Sequence, residues 1–127
     1  MTQAASEARI GVNLLWCVPG AVGGSEQYLS RQLAGLLMLD DPTAVTVFAT
    51  AAFNRAHAGD LAGSTLVDAP GDGIRRWKRV LDENTWLRGR TRGFDLVHHG
   101  GGTAPTRARL PYVLTVHDLQ YRSFPEH

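Results

Sequence analysis

A glycine-rich stretch, Val18-Pro19-Gly20-Ala21-Val22-Gly23-Gly24-Ser25-Glu26, stands between two regular segments. Before it, the apolar run Ile10-Gly11-Val12-Asn13-Leu14-Leu15-Trp16 reads as a strand over about residues 9–16. After it, Tyr28, Leu29, Leu33, Leu36 and Leu37 recur with helical periodicity over about 25–39. A strand, a glycine turn and a helix start together present unspent backbone N–H groups to an anion. The stretch therefore predicts a place for a phosphate or diphosphate beside the first turn. Ser25 is the expected N-cap, and Glu26 falls in the first turn, where a negative charge is favoured.

Further alternation follows. Ala44–Ala49 reads as a second strand, 51–62 as weakly helical, 64–68 as a third strand and 74–87 as a helix. Phe94–His98 and Tyr112–His117 complete the strands, with Gly93 and the Gly100-Gly101-Gly102 triplet as breaks. In the 74–87 helix, Ile74, Trp77, Val80 and Leu81 share helical spacing, so Trp77 is expected in the core. Short apolar strands alternating with helices imply an α/β, Rossmann-like parallel sheet with helices on both faces. Residues 1–8 read as a disordered tail and 9–127 as one domain. There is no internal repeat and no low-complexity segment.

The chain has 127 residues, a net charge of +1 and a single cysteine, Cys17. One cysteine excludes an internal disulfide and fits a reducing compartment; its small size fits burial. The polar N-terminus does not read as a signal peptide, and no apolar run reaches membrane-spanning length. A cytoplasmic protein is expected. Arg75, Arg76, Lys78 and Arg79, with Trp77 and Trp86 interleaved, read as a solvated helix face that is also suited to peripheral contact with anionic lipid. No nucleic-acid-binding module surrounds them.

The chemistry-bearing residues all follow strand ends. Gly20, Gly23, Gly24 and Ser25 follow the first strand, His98 and His99 end the fourth, and His117-Asp118 ends the fifth. In a parallel sheet these loops share one rim. The glycine stretch is neither G-x-G-x-x-G nor G-x-x-x-x-G-K-[ST], and Ala49-Thr50 supplies no ribose-binding carboxylate. Both points weigh against a dinucleotide fold or a P-loop nucleotidase. Neighbouring histidines on a strand face apart and lack a third ligand at useful spacing, so no metal is expected. His98 or His99 lines the cleft while the other is structural. His117 is a candidate base or hydrogen-bond partner for a sugar hydroxyl, and Asp118 a cap for the following turn.

Three places together resemble the N-terminal domain of family-4 retaining glycosyltransferases of the GT-B fold. These are Pro19-Gly20 through Gly24-Ser25-Glu26, the Phe94-Asp95-Leu96-Val97-His98 strand, and Pro111-Tyr112-Val113-Leu114-Thr115-Val116-His117-Asp118-Leu119 with Tyr121 and Phe124-Pro125. The resemblance implies that Gly23, Gly24 and Ser25 approach the diphosphate of a nucleotide-diphosphate sugar donor. It places His117 at the donor sugar as the catalytic residue, and Gly20, His98 and Asp118 on the substrate side. It implies no cofactor and no essential metal. It also implies a second, donor-binding domain beyond the 127 residues, or a partner chain, so the first domain is expected to be incomplete at its C-terminus and inactive alone. The alternative is a non-catalytic α/β module that binds a phosphorylated ligand or a protein through the same turn.

Overall fold

The computed structural model describes residues 8–20, 24–38, 44–71, 73–100 and 110–114, without the side chains of Gly24, Ser25 and Arg76. Five strands form one sheet: β1 (Arg9–Leu14), β2 (Ala44–Ala49), β3 (Thr65–Asp68), β4 (Leu96–His99) and β5 (Tyr112–Leu114). Their order is β3-β2-β1-β4-β5, and every pairing is parallel. The chain thus winds outward from β1 to β3, then crosses back to β4 on the other side of β1. This is the doubly wound, Rossmann-like arrangement, and its direction reverses between β1 and β4.

Alternation along the strands divides the core into two layers. Val12, Leu14, Val45, Val47 and Ala49 meet Leu29 and Leu33 of α1 (Gly24–Leu37) and Phe53 of α2 (Ala51–His57) on one face. Leu36 and Leu37 pack against the same layer, as their spacing predicts. On the other face Leu15, Phe48 and Phe94 meet Leu87. Phe48 sits edge-on to Trp86 at 5.9 Å between centroids and tilted to Phe94 at 5.8 Å. Helices therefore cover both faces.

Several boundaries differ from the sequence expectation. β1 stops at Leu14, because Cys17 donates its N–H to the Leu14 carbonyl at 3.0 Å and folds Leu15-Trp16 into a turn. The ambiguous 51–62 region contains α2, started by Thr50, whose Oγ1 accepts the Phe53 N–H at 3.1 Å. α1 begins at Gly24, so Ser25 lies inside its first turn and is not the cap.

The largest correction concerns the third helical segment. α3 (Arg76–Asp82) runs into a π-helical turn (Glu83–Leu87) and then α4 (Arg88–Arg90). Trp77, expected in the core, is 65 % exposed, and Ile74 and Leu81, which share its spacing, are 70 and 49 % exposed. The buried side is instead Asp82, Glu83, Leu87 and Thr91, with Trp86 partly buried. Leu87 and Trp86 cover Phe48 and Phe94, which turns the 74–77–81 spacing outward. The fourth strand begins two residues later than expected and extends to His99. Residues 115–127, including the second half of the expected fifth strand, lie outside the described residues.

Candidate functional site

In an open parallel sheet the natural binding place is the carboxyl edge where strand order reverses. Here that is the junction of β1 and β4, in register Asn13 to His99. Asn13 interrupts the apolar run from Ile10 to Leu14 of β1 and is 1 % exposed. Its Oδ1 accepts the Leu15 N–H at 3.1 Å, which fixes the amide orientation. Its Nδ2 must then donate to His99 Nδ1, 2.9 Å away. His99 Nδ1 is thereby the acceptor, and the ring proton sits on Nε2. His99 is itself 3 % exposed and stands edge-on to Tyr112 of β5. Burial first, and the neighbouring His98 charge second, pull its pKa from 6.5 to about 4. It is a neutral imidazole at neutral pH.

The two strand ends are also joined through the backbone. Gly100 donates its N–H to the Asn13 carbonyl at 3.2 Å. A Cβ at Gly100 would sit 3.1 Å from both Leu14 Cδ2 and Leu29 Cδ1. The absence of a side chain lets α1 and the end of β4 close together at the reversal point.

The glycine turn is held by a carboxylate. Gly20 takes φ +79°, which suits glycine alone at low cost. Its N–H donates to Glu26 Oε1 at 2.8 Å. The other oxygen, Oε2, accepts from His57 Nε2 at 2.6 Å. The Gly20 bond first and the His57 bond second hold the Glu26 carboxyl below its ordinary range. His57 lies on the Phe53 ring at 4.4 Å, with Asp60 Oδ2 3.5 Å from its Nδ1. Glu26 therefore pins the turn between α1 and α2. Cys17, buried beneath, is pushed up to about 12 by burial and then by the Glu26 charge, so its thiol is inert.

This geometry sorts the residues named from sequence. Gly20 cannot offer its N–H to an anion, because Glu26 already holds it and places a negative charge there. Gly24 and Ser25 open α1, where the first backbone N–H groups have no intrahelical partner. His98 and His99 alternate faces as expected, with His98 half-buried and His99 buried against Asn13. Gly23, His117 and Asp118 lie outside the described residues. β5 ends at the same edge, Leu114 pairing with His99. Asn13, His57 and the tethering role of Glu26 were missed by sequence reasoning. Asn13 had a signal, a polar residue inside an apolar strand; His57 had none.

A cleft of about 600 Å³ opens on the same edge but over β2 and β3, between Thr50-Ala51-Ala52 and Ala69-Pro70-Gly71. Arg55, Arg75, Trp77 and Lys78 line it. Among the described residues no group of three His, Cys, Asp or Glu side chains is placed to hold a metal ion, and no helix is long and apolar enough to cross a membrane. Compared with family models, with curated proteins and with solved structures, the chain matches none.

Proposed function

We propose that this chain is the acceptor-side domain of a retaining glycosyltransferase that uses a nucleotide-diphosphate sugar. The observation that carries the reading is the reversal of strand order between β1 and β4. It puts the end of β1, which leads to Gly20, the start of α1, the Asn13–His99 pair and the end of β5 on one edge. Of the segments that resemble family-4 transferases, Gly20, Gly24–Glu26, Leu96–His98 and Tyr112–Leu114 belong to these elements, and Gly23, His117 and Asp118 lie outside the described residues.

In this reading the backbone N–H groups at Gly23, Gly24 and Ser25 face the departing diphosphate. Fixed dipoles stabilise the charge that develops there without a metal. Glu26 keeps the preceding turn in place, and its charge confines the diphosphate to the helix side of Gly20. His117 contacts the donor sugar, with Asp118 holding the loop behind it. The neutral His99 and Asn13 form a rigid floor, and His98 is on the substrate side. The reaction needs a donor-binding counterpart, in the same polypeptide or a partner chain, and takes place in the cytoplasm.

The test is an assay of the gene product containing this chain against a panel of nucleotide-diphosphate sugars. Release of nucleoside diphosphate is followed, and the product anomer is read by NMR. Turnover with retained configuration, lost in His117→Ala, supports the reading. Binding of a phosphorylated ligand with no turnover on any donor would leave the non-catalytic module instead.

A further inference from the structure

The helix face that turned outward sits beside the basic cleft. Ile74, just before α3, is 70 % exposed, and Trp77 and Leu81, one turn apart on it, are 65 and 49 % exposed. Beside them Arg55, Arg75 and Lys78 line the cleft. Lys78 is paired with Asp82, Nζ to Oδ1 2.7 Å. Among the described residues neither Arg55 nor Arg75 is in an ion pair. Arg79, expected to join this charge, buries its Nε.

A large indole and two aliphatic side chains in water are costly for a monomer. A rim of cations around them is the pattern of a helix lying in an anionic bilayer surface, with apolar groups among the acyl chains and cations at the headgroups. We propose that this face, Ile74-Trp77-Leu81 flanked by Arg55, Arg75 and Lys78, docks on an anionic membrane, with a lipid phosphate seated in the cleft. The charge decides the occupant: a protein-covered apolar face would not need two unpaired arginines at its edge, whereas a phosphate surface does. The cleft alone would suit a soluble phosphate, but a soluble ligand would leave Ile74 and Leu81 in water. This inference does not depend on the transferase reading, because its readout is lipid binding.

The experiment is flotation of the 127-residue chain with vesicles of phosphatidylcholine, with and without phosphatidylglycerol. Binding is expected only to the anionic vesicles and is expected to weaken as salt rises. Removing one arginine weakens it about fivefold, and Arg55→Gln with Arg75→Gln together about 25-fold. Brominated lipids should quench Trp77 fluorescence, while Trp16, 8 % exposed, stays unquenched. Trp77→Phe should abolish the quenching without changing the circular dichroism. All these residues are on the surface, so the variants are expected to fold. Three results overturn the proposal. One is absence of binding to anionic vesicles, including the case where inorganic phosphate binds the cleft instead. Another is vesicle binding that the double variant leaves unchanged. The third is concentration-dependent self-association through Trp77 with no vesicle affinity.

Discussion

Acidification should destabilise this protein through His99. The imidazole is buried, neutral, and accepts at Nδ1 from Asn13. Its pKa falls from 6.5 in the unfolded chain to about 4 in the fold. Above 6.5 both states hold it neutral and stability is full. Below 6.5 the unfolded chain takes up a proton that the folded chain refuses, so stability declines until about 4. At about 1.4 kcal/mol for each tenfold change in proton affinity, the loss amounts to about 3 kcal/mol. That is a large part of the 5–15 kcal/mol or so that typically holds a domain together.

The assay is urea unfolding at a series of pH values, for the wild type and for His99→Gln. Glutamine keeps an acceptor for Asn13 Nδ2 but does not titrate. The wild type should lose stability at about 1.4 kcal/mol per pH unit more steeply than the variant between 6.5 and 4. Long-range nitrogen–proton NMR should show the proton on Nε2 of His99. Equal slopes in the two proteins, or a His99 ring that titrates near 6.5, would refute the account of this pair.

Asn13→Leu should cost about 2–4 kcal/mol, since it strands the Leu15 N–H and His99 Nδ1 in the core; urea midpoints report it, and a near-neutral change would remove the pair from the fold's support. Glu26→Ala frees the Gly20 N–H and His57, and should cost about 2 kcal/mol at neutral pH. Because the Glu26 pKa is lowered, this difference should be present above 4.5 and shrink as pH falls below it, with Gly20 amide exchange as the local probe. Thr50→Ala removes the cap of α2 and should cost about 1 kcal/mol, with Thr50→Ser restoring most of it in thermal melts. Gly100→Ala must push Leu14 and Leu29 aside, and should lower the melting temperature by the equivalent of about 1–3 kcal/mol; an unchanged melt would mean that α1 has room to move.

The sheet was legible because strands buried on both faces must be apolar along their length. β2 falls on the expected Ala44–Ala49, where Val45, Val47, Phe48 and Ala49 are all buried. α3 was misread for the complementary reason. Spacing shows that Ile74, Trp77 and Leu81 share a side but not which way that side faces. The face that packs was decided by Leu87 and Trp86 against Phe48 and Phe94, contacts between segments far apart in sequence. The π-helical turn at Glu83–Leu87 widens the helix there and shifts the register on which any period count depends. Thr50, three residues before Phe53, was the local signal that could have started α2.

What was legible of the candidate site was the sheet edge on which it lies. That the carboxyl ends of β1, β4 and β5 share an edge follows from topology, which alternation predicts. That Glu26 occupies Gly20 does not follow, because it depends on a side chain reaching back six residues and on a histidine 31 residues away. The consequence reverses one expectation. A glycine turn looks like an anion cradle because its N–H groups are unspent, yet this one has its own carboxylate bound at Gly20. In the proposed reading, a phosphate brought to the turn meets that charge at Gly20 and binds at the α1 start, whose first N–H groups have no partner within the helix. In that reading the Glu26 charge selects position as well as sign. If the proposed transferase reading holds, Glu26→Gln should raise the affinity of the gene product for a nucleoside diphosphate in calorimetric titration, because it removes the charge beside Gly20, and an unchanged affinity would refute a steering role for Glu26.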